Sequence, residues 1–512
     1  MVNPWLIAVS VMLATFMEVI DTSIASVALP HIAGSLSATT DEATWVLTSY
    51  LVANAIILPA SGWFAIRFGR KRFLITCIVI FTVSSFVCGA STSLAMILIA
   101  RAVQGAGGGA LQPLSQAILL ESFPPAKRGL AMAVFALGVV VAPVLGPTLG
   151  GWLTDEYSWR WAFYINIPIG VIAILMLTRF VTDPPYIKDA KPGKMDAIGL
   201  GLLAVSLACL QIILDKGQEV DWFGPTWMRW TAFVTLATVI GFLVRELTAK
   251  APLVQLKIFR DRNFALGCLL IALFGGVIYG VVTLLPLFYQ TLLGYTAVAA
   301  GIAVSPRGIG AIMIMPVIGV LTGRLDNRWL IIVGFIIFGW SSIWMANLTL
   351  DISPLTLLWP IIVSGVGTGM VFVPLATLTM GTLKNEQIGN ASGLFNLMRN
   401  VGGGIGISMV NTLVIRHQQI HRAMMVQNLT PTNPAFRQAF DTTRGAMSRF
   451  AGPVVADQRA YGLLQGTLER QSSAFAYVDV FRLLAIACLV CGVIVIFMKG
   501  VRPKKGAPSM AH

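Results

Sequence analysis

Fourteen apolar stretches, separated mostly by short polar connections, dominate the chain. They fall near residues 5–28, 43–66, 73–92, 95–120, 129–151, 162–180, 197–215, 229–247, 264–288, 296–322, 330–349, 357–380, 389–413 and 477–498. A hydrocarbon core about 30 Å thick is crossed by a helix of about 20 apolar residues, so each stretch predicts one membrane-spanning helix. The exception to the short connections is 414–476, a polar stretch rich in Arg and Gln with the turn-prone TPTNP at 430–434. Within it, 454–470 carries an apolar stripe at helical spacing, which predicts a small helical projection outside the membrane.

Lys and Arg gather in the connections after the even-numbered stretches and in the C-terminal tail, whereas the opposite short connections hold only Arg160, Lys216 and Arg229. Basic loops stay on the cytoplasmic side, so both termini are expected there. No Lys or Arg precedes Arg67, and the first stretch carries Glu18 and Asp21, so it is expected to be a retained span and not a cleaved leader. Composition agrees: 56% of the 512 residues are hydrophobic and 11% charged, against about 25% charged in soluble domains. This excludes a soluble fold and, by the same apolar excess, disorder. The net charge of +14 resides in loops and implies no nucleic-acid partner. All six cysteines lie inside apolar runs and read as small buried hydrophobes.

An internal echo links Gly62-Trp-Phe-Ala-Ile-Arg67-Phe-Gly69-Arg70-Lys71-Arg72 to Gly319-Val-Leu-Thr-Gly-Arg324-Leu-Asp326-Asn-Arg328. If the seventh and eighth stretches are an insertion, these are equivalent loops of two six-helix halves, the arrangement of transporters with a midplane site between repeats. The expected organisation is an N-terminal six-helix bundle at 1–182 and two inserted helices with cytoplasmic linkers at 183–262. A C-terminal six-helix bundle follows at 263–499, including the outward stretch 414–476, and then a cytoplasmic tail at 500–512.

Charges inside the spans carry the chemistry. Asp21 lies deep in the first span, and Glu18, three residues earlier, shares its face. A charge at the bilayer centre costs about 2.5–3.5 kcal/mol on insertion scales, so both must face a cavity or a partner. Either they hold a transported proton, Asp21 as principal site, or they pair with an intramembrane arginine. Arg101 in the fourth span is permanently charged and is the group expected to tune Asp21. The glycines at 105 and 107–109 allow a neighbouring backbone to approach closely, and Gln104, Gln112 and Gln116 recur on one face as a polar lining or an interhelix seam. In the fifth span, small residues at 138, 142, 146 and 150 make a flat packing face that Pro143 and Pro147 bend. Arg399, about ten residues into the thirteenth span, needs a partner, while Arg307 is placed to snorkel. Tyr50, Asn54, Gln104, Tyr279, Phe288 and Asn396 are the substrate-contact candidates of a mostly apolar pocket; each reads equally as a helix–helix contact. His417 and His421 stand four apart, but no third metal ligand is evident, so they read as solvated helix residues and no metal is expected. No phosphate-cradling loop is present, and no enzymatic constellation emerges.

At these residues the sequence resembles the major facilitator superfamily, in particular its fourteen-span drug:proton antiporter branch with the EmrB-type multidrug efflux pumps. The similarity rests on Asp21-Thr-Ser leading to Val27-Ala-Leu-Pro30, Arg101-Ala-Val-Gln104-Gly105, Gly146-Pro147-Thr-Leu-Gly150-Gly151, Trp159-Arg160-Trp161 through Gly170, and Ala391-Ser392-Gly393 leading to Arg399-Asn400. It implies a major facilitator fold, two six-helix bundles plus two extra helices. Gly62, Arg67, Gly69, Arg70, Gly146, Pro147, Gly150, Gly151 and Arg399 would then serve conformational change. It also implies proton-driven export of hydrophobic, toxic compounds across a bacterial inner membrane. A periplasmic adaptor and an outer-membrane channel would be partners, and the proton gradient would replace any cofactor. There are two departures. Ile66 stands where the superfamily carries an acid, which puts an interhelix charge lock at that loop in doubt although Arg67, Gly69, Arg70 and Lys71 fit, and Glu18 is not expected as a general feature of the branch. The competing readings are a proton-coupled exporter of one metabolite or peptide, a proton-coupled importer, and a non-transporting membrane scaffold.

Overall fold

In lipid each backbone N–H and C=O must be satisfied within its own segment, and the apolar runs accordingly form helices. The computed structural model describes residues 3–124, 127–183, 195–249, 252, 254–322, 324–347, 350, 354–449 and 452–500; most of the 183–196 linker and residues 501–512 of the expected tail lie outside these. The first eight helices are α1 (Pro4–Ser35), α2 (Thr40–Phe68), α3 (Arg70–Gly89), α4 (Leu94–Gly108), α5 (Leu111–Ser122), α6 (Arg128–Glu156), α7 (Trp161–Tyr164) and α8 (Asn166–Phe180). Next come α9 (Ala197–Lys216), α10 (Thr226–Thr248), α11 (Arg262–Thr291), α12 (Ala297–Val304), α13 (Pro306–Leu321), α14 (Asn327–Met345) and α15 (Pro354–Met380). The last three are α16 (Asn385–Val426), α17 (Pro434–Met447) and α18 (Pro453–Val495).

Polar residues at the boundaries start these helices. Thr39 and Glu42 form a reciprocal capping box at α2, Asp196 caps α9, and Asp261 accepts from the Phe264 N–H at α11. Every predicted span corresponds to one helix or to a helix pair interrupted by a short break. Among the described residues twelve helices are long and apolar enough to cross a membrane, and a thirteenth counts if the bent α6 is one span. The remaining predicted span is α16, whose mean hydropathy is lowered by Asn396, Arg399, Asn400 and the glycines at 402–404. Fourteen spans therefore fit the helices without being matched by apolarity alone. The bend in α6 is 41° between Arg128–Pro143 and Leu145–Glu156, at the predicted prolines.

Helices α1 to α8 pack mainly on one another, as do α11 to α16 and α18. The seam between the groups is made by α2 and α5 against α16 and by α6 against α12, α13 and α15. The approach is close. A Cβ on Gly129 would sit 2.8 Å from the Gly319 carbonyl oxygen at the end nearer the N-terminus, and one on Gly301 would sit 2.9 Å from Pro147 at the opposite end. The inserted α9 and α10 pair with each other, and α9 also touches α2 and α16. There Asp215 accepts a 2.5 Å hydrogen bond from Thr48, so the inserted helix lies against the seam. Beyond the bundle α16 and α18 continue as paired helices, and α17 lies on α18 through Phe440 against Tyr461, with ring centroids 4.5 Å apart, and an Arg444–Asp457 ion pair of 2.5 Å. The apolar stripe at 454–470 is thus part of a helix, as its periodicity predicts.

Candidate functional site

The site grows from the break between α4 and α5. A Cβ on Gly105 or Gly109 would overlap the carbonyl oxygens of Tyr50 and Asn54 on α2, so the glycine cluster brings α4 onto α2 backbone to backbone. That approach carries Arg101 and Gln104 to Asp21 on α1. Arg101 Nη1 donates to Asp21 Oδ2 at 2.6 Å, with both side chains fully buried. The other carboxylate oxygen accepts from Gln104 Nε2 at 2.9 Å and from Asn166 Nδ2 at 2.6 Å. Arg101 Nε donates to the Val46 carbonyl at 3.1 Å, and the guanidinium lies 4.2 Å from the Tyr50 ring centroid. Ser85 completes the cluster, accepting from Gln104 and Asn166 and donating to the Phe163 carbonyl. Of the two readings of Asp21, pairing with an arginine is what the geometry contains. Three charge-assisted or amide donors surround the Asp21 carboxylate, Arg101 and Gln104 from α4 and Asn166 from α8.

Glu18 is set differently. It is 5% exposed, and its donors are amides: Asn54 Nδ2 at 3.1 Å on Oε1 and Gln112 Nε2 on Oε2. Gln112 in turn accepts from Arg399 Nη2, so a chain of side chains runs from α1 through α5 to α16, across the seam. One turn further on, Asn396 Nδ2 donates to Gln116 Oε1 at 2.9 Å, a second link across the same seam. Arg399 Nε and Nη1 find no hydrogen-bond acceptor among the described residues, and its guanidinium faces the Phe372 ring at 6.0 Å. The three glutamines recurring by fours thus split their work: Gln104 serves Asp21, while Gln112 and Gln116 reach α16.

Tyr50, Asn54 and Gln104 come together around the carboxylates, while Asn396 meets Gln116 at the seam beside them. Among the described residues no hydrogen bond or ring contact joins Tyr279 or Phe288 to them: Tyr279 lies against the position of a Cβ on Gly403, and Phe288 packs in an aromatic group with Tyr289 and Tyr477. Asn166 and Ser85 are partners that the motifs did not single out for a role, whereas Gln112 was read as part of a polar lining or interhelix seam and lies at the seam. Arg307 does not snorkel. It is 2% exposed, donates to Thr368 Oγ1 at 3.3 Å and covers the Phe338 ring at 5.6 Å, because helix α13 turns it inward against α14 and α15.

The interhelix charge lock that Ile66 puts in doubt is supplied from elsewhere in the fold. Arg70 Nη1 meets Glu121 Oε2 on α5 at 2.6 Å, with both largely buried. Asp183, past α8, accepts from the Lys71 N–H at 2.8 Å. The acids come from α5 and from the segment after α8, so the position at 66 is free to be apolar. Gly69, at φ +83°, occupies the left-handed region, and a Cβ there would sit 2.9 Å from the Asp183 carboxylate. Arg67 is exposed, while Gly62 lies against Asn390 of α16. In α6, Gly146 and Gly150 contact Ser23 and Ile24 of α1, and Gly151 and Pro147 face Val298 and Gly301 of α12. At the base of the projection His417 and His421, expected to lack a third partner, both face Asp479 of α18.

A multi-pass helical protein with charges sequestered at the meeting of two helix groups is built as a membrane transporter. The chain belongs to the Major Facilitator Superfamily, which matches over residues 11–407; it is a transporter and not an enzyme. It is 38% identical over 475 residues to the fatty acid resistance protein FarB of Neisseria gonorrhoeae, covering 93% of this chain and 92% of that one. It is 36% identical over 510 residues to the multidrug export protein EmrB of Escherichia coli K12, covering 99% and 98%. The solved structure of the human organic anion transporter MFSD10 (TETRAN) shares the fold, with a TM-score of 0.59 at 14% identity over 95% of this chain and 100% of that one.

Proposed function

We propose that this chain is a proton-driven multidrug efflux transporter, exporting hydrophobic toxic compounds by alternating access across a bacterial inner membrane with both termini in the cytoplasm. The observation that carries the reading is the Glu18–Gln112–Arg399 chain, which joins a buried carboxylate of one helix group to a buried cation of the other. Between the two carboxylates, Glu18 is the better proton carrier. Asp21 already holds a guanidinium at 2.6 Å, so protonating it would leave Arg101 buried without its counter-charge. Glu18 holds only amides, which can rearrange around a neutral acid. In this reading protonation of Glu18 weakens its pull on Gln112, loosens Arg399 and lets the seam part. The Asp21–Arg101 network keeps the first helix group rigid meanwhile, and residues 1–182 and 263–499 are the two moving halves.

Dye accumulation in energised inverted vesicles, with simultaneous proton efflux, tests this; no ΔpH response to any of a broad panel of compounds would sink it. A second reading, export of fatty acids, is favoured by the similarity to FarB and by Arg399, whose two unpartnered donors at the seam are suited to a carboxylate. Medium-chain fatty acids that compete with dyes, and lose that competition in Arg399→Gln, would favour it. The outward α16–α17–α18 projection is the part proposed to contact a periplasmic adaptor that leads to an outer-membrane channel. Replacing 420–470 by a short linker should spare transport in vesicles and lose resistance in cells.

A further inference from the structure

The base of the projection carries a cluster apart from the site described above. His417 and His421 stand four residues apart on α16 and therefore share one face, and that face meets Asp479 on α18. Asp479 Oδ2 lies 3.1 Å from His417 Nδ1 and 2.7 Å from His421 Nε2. The three ligand atoms all fall within 4.8 Å of one another. We propose that His417, His421 and Asp479 bind a first-row divalent transition metal, zinc best, which clamps α16 to α18 where they leave the bundle.

The chemistry follows from the donor set. Two imidazoles and one carboxylate match the three protein ligands of open zinc sites, the fourth position being left to water. Tetrahedral zinc, with bonds of about 2.0–2.2 Å, spaces its ligands about 3.3–3.5 Å apart. A short outward shift of the carboxylate therefore makes room, with both helices staying where they are. The three side chains are 29%, 23% and 25% exposed, which leaves an entry path and a place for the water. Hard cations such as magnesium and calcium prefer an all-oxygen shell and are poorly served here. The surroundings also hold the ligands: the Phe475 ring lies 5.6 Å from that of His421. Arg482 Nη1 approaches Asp479 Oδ1 at 3.5 Å and is itself 60% exposed, so it can swing into water when a cation arrives. The signal was half visible in the sequence, since the two histidines are four apart but their third partner is 58 residues further on.

The test uses the full-length protein, purified without a histidine tag, stripped with EDTA and titrated with zinc chloride against a chromophoric chelator. The wild type should bind one zinc per chain and gain thermal stability from it, while magnesium chloride does neither. Asp479→Asn should weaken binding by about tenfold or more, the range over which altered ligand shells act, and His417→Ala/His421→Ala should abolish it. Arg482→Ala should bind a few-fold more tightly, because a competing positive charge is gone; this variant keeps the three ligands and so decides the matter even if the histidine variants fold poorly. No zinc binding by the wild type would overturn the proposal and leave a plain His–Asp hydrogen-bonded staple. Equal zinc affinity in the wild type and the double histidine variant, or unchanged affinity in Arg482→Ala together with Asp479→Asn, would overturn it as well.

Discussion

Arg101 and Arg399 are both buried guanidinium groups on glycine-rich helices, yet the structure treats them differently. Arg101 touches its carboxylate directly, inside one helix group, and its Nε is taken up by the Val46 backbone. Arg399 reaches a carboxylate only through Gln112, across the seam, and among the described residues two of its donors find no hydrogen-bond acceptor, against one, Nη2, of Arg101. A direct buried ion pair is costly to separate and favours one arrangement. A charge relayed through an amide is weaker and can be redirected when the carboxylate changes protonation. In the proposed cycle the same residue type thus acts as a lock within one group and a trigger between two, and its neighbours decide which.

The comparison breaks most severely at Arg101. Arg101→Gln leaves Asp21 buried without a counter-charge, a loss of about 3–5 kcal/mol, and adding Asp21→Asn should restore much of it. Thermal unfolding of the purified single and double variants measures both, and equal losses in the two would remove the lock. Packing gives the next largest effect. Within the second group a Cβ on Gly406 would overlap the backbone of Gly276 on α11, so Gly406→Ala should cost about 1–3 kcal/mol. At the seam, Gly129→Ala should cost less stability and disturb transport more, since the proposed cycle parts that contact; the opposite ranking of melting temperature and vesicle transport would contradict it.

Glu18→Gln sharpens the contrast at smaller energetic scale. The amide still accepts from Asn54 but turns a donor toward Gln112 Nε2, so stability should fall by about 1–2 kcal/mol, while ΔpH-driven dye accumulation is lost. Retained, normally pH-dependent transport in this variant would return the coupling role to Asp21. Smallest of all is Arg444→Ala in the projection. Its ion pair with Asp457 is nearly half exposed, and such pairs contribute about 0–1 kcal/mol, so melting temperature and vesicle transport should stay within error.

The order and approximate limits of the spans were legible in the chain itself, because lipid demands an apolar run for each crossing and a helix for each run. The bend in α6 was legible from its prolines, and Glu18, Asp21, Arg101 and Arg399 were marked out simply by being charged in apolar surroundings. The sequence by itself also determined that some partner must meet each charge, since an isolated one is too costly to bury. Which partner was decided only by the tertiary structure. Arg70 finds Glu121 on another helix where the local position is Ile66, Arg307 turns inward to Thr368, and Asp479 comes to two histidines from far along the chain. A helix repeats every 3.6 residues, so spacing reveals which side chains share a face. The neighbour that face meets depends on how the whole bundle packs, and no local pattern records it.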